Sequence, residues 1–146
     1  MPPTLPKPPK INMAAVARAE AALAAMSVNF QQWLEREVTR LDAAMSAVRS
    51  MGRTAETMDA LYHRAHDLKG LGTTYGYPII SQIAGTLCRL IDTPERRMVA
   101  PLELALAHVE AIKAAARDQI KTEDDAIGRV LVKELADKVE SFNPRK

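Results

Sequence analysis

Apolar side chains recur along this chain at intervals of three and four residues, which places them on one face of an α-helix. The strict alternation that marks a half-buried strand is hard to find. An alanine-rich stretch over residues 13–26 follows Asn12, an N-cap residue by type, and predicts a short first helix. Phe30, Trp33, Leu34, Val38, Leu41, Met45 and Val48 define a longer one that stops at Met51 and Gly52. Thr54 can cap the next, whose stripe of Met58, Leu61, Ala65, Leu68 and Leu71 runs to a turn enforced by Gly76 and Pro78. Ile80, Ile83, Leu87 and Leu90 mark a helix that returns alongside it and ends near Asp92 and Pro94. A fifth carries Met98, Leu102, Leu106, Val109, Ile112 and Ile120, with Pro101 tolerated in its first turns. Thr122 and Asp125 read as a capping box opening a last helix, with Ile127, Leu131, Leu135, Val139 and Phe142 on one side.

Composition narrows the class. With 47% hydrophobic residues among 146, the chain can bury one core and has little room for a second. Six glycines and a 4% aromatic share favour helix throughout. The expected fold is all-α: an antiparallel up-and-down four-helix bundle at about residues 28–121, with an additional N-terminal helix at 13–26 and an additional C-terminal helix at 122–142, in a single domain over 12–146. Residues 1–11 hold five of the nine prolines and read as a disordered arm. A net charge of +2 without a basic run gives no ground for a nucleic-acid partner. The one cysteine, Cys88, excludes an internal disulfide and fits a reducing compartment. No apolar stretch approaches the roughly 20 residues needed to cross a bilayer, and the N-terminus lacks the apolar segment of an export signal, so a cytoplasmic protein without membrane contact is expected.

Three glycines, Gly70, Gly72 and Gly76, stand among good helix formers, and each interior one costs about 1 kcal/mol relative to alanine. Gly72 falls within the stripe of Leu61, Ala65 and Leu68, where close helix packing explains it. Gly70 lies about 160° from that stripe, one turn beyond His66, on the solvent side. A missing side chain there uncovers the imidazole to a large partner. Lys69, three residues after His66, can reach an anion attached to the ring. Phosphoryl transfer to a histidine needs a neutral, exposed imidazole, an open line of approach and a cation for the equatorial oxygens, and these three residues supply them.

Across residues 66–76, HDLKGLGTTYG, the sequence resembles the histidine-containing phosphotransfer (Hpt) family, with the histidine, the lysine three residues on, the glycine four on and a second glycine ten on. Ile80, Ile83 and Leu87 fit the apolar rhythm of the family's next helix. The resemblance implies a phosphocarrier without its own ATP site, a component of a bacterial two-component phosphorelay. In it His66 accepts a phosphoryl group on Nε2 from the aspartate of a response-regulator receiver domain and returns it, and Lys69 stabilises the charge. Gly70 makes room for the receiver; Gly76 is either clearance or a helix C-cap. No cofactor of its own is implied, since Mg²⁺ belongs to the receiver. The partners are receiver domains, with a hybrid sensor kinase as a further candidate, and the chain is expected to be a monomer. One departure stands out: similar proteins often carry Gln or Glu level with the histidine to orient its ring, whereas this chain has Cys88, a weak hydrogen-bonding group. Gln82, Arg89 and Thr73 are the alternatives.

Other readings use the same residues. The segment His66, Asp67, Leu68, Lys69 is also similar to the phosphoacceptor box of sensor-kinase dimerisation domains, but no phosphate-binding glycine loop or ATP-binding domain follows. Such a hairpin needs a second chain to complete its bundle. Asp59, His63 and His66, with Cys88, have the spacing of a helix-face metal cluster, while a ferritin-like centre lacks its Glu-x-x-His pairs. A helical adaptor would dock partners through a rim of Tyr62, Tyr75 and Tyr77 without any chemistry. The expected docking surface around His66 comprises Met58, Tyr62, Thr73 and Arg89.

Overall fold

The computed structural model describes residues 11–142 as six helices with no strand among them: α1 (Met13–Met51), α2 (Ala55–Thr74), α3 (Pro78–Leu90), α4 (Pro94–Val99), α5 (Leu102–Arg117) and α6 (Ala126–Phe142). The arm expected over residues 1–11 lies outside them, apart from exposed Ile11. None of these helices is long and apolar enough to cross a membrane.

The first two predicted helices are one. Asn12 caps α1 as expected, accepting from the Ala15 amide at 3.2 Å, but nothing stops the helix before Gly52 because Ser27, Val28 and Asn29 neither fix nor free the backbone as Pro or Gly would. The helix predicted over Met98 to Ile120 divides instead. Thr93 caps the short α4, Ala100 turns extended, and Pro101 stands at the N-cap of α5, where its missing N–H is harmless.

The second half of α1 with α2, α3 and α5 closes a four-helix bundle within one chain. Its core interleaves Leu34, Leu41 and Met45 of α1 with Met58, Leu61 and Leu68 of α2, Ile80, Ile83 and Leu87 of α3, and Val109 and Ile112 of α5. A reciprocal capping box opens α2: Thr54 Oγ1 accepts from the Thr57 amide at 3.0 Å, and Thr57 Oγ1 from the Thr54 amide at 2.9 Å.

Gly76 ends α2. The Tyr77 amide donates to the Gly72 carbonyl at 2.7 Å and the Gly76 amide to the Thr73 carbonyl at 3.0 Å, the paired bonds of a Schellman stop, with φ of 89° at Gly76. Tyr77 then turns inward. Its ring is buried, its hydroxyl donates to Gln31 Oε1 at 2.7 Å, and burial raises its pKa, so it is no part of an exposed docking rim. Gly72 lets α2 and α3 meet, as its place in the stripe implied: a Cβ there would stand 2.6 Å from both N and Oγ of Ser81.

α6 lies across α3 and α5. The predicted Thr122 and Asp125 box is a single cap instead. Asp125 Oδ1 accepts from the amides of Ile127 and Gly128 at 2.9 and 3.2 Å, while Thr122 Oγ1 accepts from Asp124 in the turn before it. Gly128, Leu135 and Val139 are buried; Ile127, expected on that face, points to solvent.

Candidate functional site

α2 buries Leu61, Ala65, Leu68 and Gly72, which leaves His66 and Gly70 exposed. A Cβ built on Gly70 would meet nothing within 4 Å. Because Cα–Cβ bonds tilt toward a helix N-terminus, a side chain at 70 would lean back over His66, and its absence keeps the imidazole open from that direction. A Cβ on Gly76 would likewise meet nothing, but positive φ and the Schellman bonds already account for this glycine as a C-cap.

Lys69 is exposed, and its stem runs over the neighbouring helix: Cγ, Cδ and Cε lie 3.8–3.9 Å from where a Cβ of Gly85 would be, so the chain passes the glycine with room for a methyl between them. Pairing of Lys69 with Gly85, and of Thr73 with Ser81 through two hydrogen bonds of 2.7 and 3.0 Å, fixes the hairpin register and brings Cys88 level with His66. The lysine charge acts on Cys88, favouring thiolate, but burial dominates and pushes the thiol up to about 11. Cys88 is therefore a small core residue with its proton on, poorly suited to metal binding or nucleophilic chemistry. An exposed imidazole thus shares its helix with an exposed lysine and a cleared approach, on a bundle closed within one chain. The Hpt domain family model matches residues 25–123.

The chain belongs to the Hpt domain family. No curated protein and no solved structure matches it. In this Hpt domain no hydrogen bond from a described residue reaches the His66 ring, and the residues expected around it divide. Tyr62, one turn earlier, is close: the two ring centroids are 6.0 Å apart, with planes 39° from parallel. Thr73 lies about 10 Å further along the axis and is committed to Ser81. Arg89 turns its guanidinium to Glu140 of α6 at 2.6 Å. Met58, expected on the docking surface, is fully buried. Gln82 is exposed, its carbonyl accepting from Thr86.

The sequence reading missed Arg97. From α4 it stacks its guanidinium 4.3 Å over the Tyr62 ring, donates from Nε to the Ile91 carbonyl at 2.9 Å, and pairs with Asp59 at 3.5 Å. Asp59 also faces His63 at 3.4 Å, and His63 Nδ1 lies 2.8 Å from the Asp59 carbonyl. Among the described residues no three His, Cys, Asp or Glu side chains converge as a metal cage. The Hpt domain therefore sets His66 on a shelf whose outer wall is Tyr62, pinned by Arg97. Gly85 was legible in principle as another interior glycine in a helix. Arg97 was not, since its link to Tyr62 crosses 35 residues and depends on where α4 lands.

Proposed function

We propose that this Hpt domain carries a phosphoryl group on His66 within a two-component phosphorelay, exchanging it with the aspartate of response-regulator receiver domains. The Nε2 lone pair of neutral His66 attacks phosphorus in line as the bond to the aspartyl oxygen breaks. That carboxylate leaves with the electron pair, and the reverse step returns the phosphoryl group. Lys69, whose stem runs over Gly85, offsets charge on the equatorial oxygens, and Gly70 leaves room for the receiver face. Tyr62 restricts the ring's swing where a hydrogen-bonding Gln or Glu is missing. Mg²⁺ belongs to the receiver. The chain acts as a carrier, contributing a nucleophile on a rigid stem while the partner supplies most of the catalysis.

The observation that carries this reading is the open space over Gly70 beside an exposed His66, on a helix whose other face is closed core. Incubation with a panel of phosphorylated receivers should place acid-labile label on the wild-type chain and none on His66→Gln, with thermal melts alike. Label retained by the His66→Gln protein would refute the assignment.

A further inference from the structure

The first half of α1 stands outside the bundle. Residues 11–29 are exposed, only Ala15 being partly covered, although they include Met13 at 70%, Leu23 at 64% and Met26 at 48% exposure. The apolar residues follow a heptad, with Val16, Leu23 and Phe30 at the a positions and Ala19, Met26 and Trp33 at the d positions. Arg18 and Glu20, the only charged residues between 13 and 34, fall outside both sets. The stripe runs along the side of α1 that carries the bundle core, and it ends at an aromatic cluster of Phe30, Trp33 and Tyr75 with centroids 5.7–6.0 Å apart. Next to that cluster is a recess of about 300 Å³ lined by Trp33, Arg36, Glu37 and Tyr75.

We infer that this stripe is covered by the same stripe of a second copy, running antiparallel. An antiparallel pair sets a against d, and one register matches sizes throughout: Val16 against Trp33, Ala19 against Phe30, Leu23 against Met26, each twice about the two-fold axis. The same register brings Met13 level with Arg36, so the flexible thioether enters the recess beside Trp33 and Tyr75. A parallel pair would set Phe30 and Trp33 against their own counterparts, where Tyr75 and the two bundles crowd the same end. The antiparallel pair puts the bundles at opposite ends.

The area suits a modest dimer. A strip about 35 Å long and one helix diameter, about 10 Å, wide on each copy covers about 700 Å² in total, below the size of a standard interface and in the range of a weak, reversible one. Absence of charge from the seam matches the composition of interface cores. This dimer replaces the monomer expected from the sequence and leaves the bundle, complete in each chain, unchanged.

Sedimentation equilibrium on the full chain tests it. A reversible monomer–dimer equilibrium is expected. Leu23→Glu and Met26→Glu should each weaken it by about tenfold or more, with thermal melts of the bundle unaltered because both side chains are exposed. A single monomer mass up to millimolar concentration, or a dimer indifferent to both variants, would overturn the proposal. For the register, Leu23→Cys protein is oxidised together with Met26→Cys protein, the native Cys88 being buried. A disulfide heterodimer outrunning both homodimers supports the antiparallel pairing, and homodimers alone refute it.

Discussion

Replacing Gly70 by alanine should make the protein more stable and a worse relay component. The residue is helical, and an added Cβ would meet nothing within 4 Å. The gain is therefore the full helix-propensity difference, about 1 kcal/mol, with no steric term against it, which raises Tm by about 2–4 °C for a chain of this size. The added methyl leans toward His66 and holds the receiver surface off by roughly 1 Å, a misplacement that can slow transfer by about a hundredfold. Gly70→Leu should keep most of the stability gain and slow transfer further. Two assays separate the effects: thermal melting, and single-turnover transfer to His66 from a phosphorylated receiver beside a small donor such as phosphoramidate. The small donor should label both variants at close to the wild-type rate. A lower Tm for Gly70→Ala would mean that the space is occupied. Receiver-dependent transfer by Gly70→Leu at the wild-type rate would refute the clearance argument.

Gly72→Ala should go the other way in stability. Its Cβ would stand 2.6 Å from the Ser81 amide and 3.1 Å from the Tyr77 carbonyl, backbone atoms that cannot rotate aside, so a loss of about 1–3 kcal/mol in chemical denaturation is expected. His108, fully buried with Nδ1 on the Leu104 carbonyl at 2.7 Å and no partner at Nε2, has its pKa lowered by burial. Below pH of about 6.5 the unfolded chain binds a proton that the folded chain refuses. The stability His108 contributes is thus present above that pH and lost as pH falls toward the lowered folded value. Melts between pH 7 and 5 should show the loss, and His108→Leu should flatten it. Arg97→Ala removes the cation over Tyr62, worth about 0.5–2 kcal/mol. The His66 ring resonances should shift and broaden while those of the distant His108 stay put; an unmoved His66 spectrum would show that Tyr62 does not need the pin.

Periodicity sufficed for the bundle because each core face is an uninterrupted stripe, as in Leu34, Val38, Leu41, Met45 and Val48 of α1, all buried. It failed where local signals permit two outcomes. The alanine-rich stretch over 13–26 and the stripe from Phe30 onward differ in character and read as two helices, yet with no Gly or Pro between them α1 runs through. Pro101 could sit inside a first turn or start a new helix, and the extended Ala100 decided the second. The shared exposed placement of His66, Lys69 and Gly70 was legible because they lie on one helix, where angles follow from sequence separation alone. Met58 was misread as surface since its 100° steps place it at the edge of the stripe, and only the approach of neighbouring helices buries it. Arg89 could have faced either flank of α3, and Glu140 of α6 settled which.

The run of the Lys69 stem over Gly85 spreads the candidate site over two segments of chain. Grafting residues 62–76 onto an unrelated helix would carry over the exposed imidazole and its bare approach, yet the lysine stem would lose the helix it runs over. A designer wishing to transplant the site would bring a second helix as well, antiparallel and offset by the same register, with a residue no larger than alanine where the stem passes. Any residue at 85 larger than alanine would push the lysine stem from its course without altering a single atom of residues 66–76.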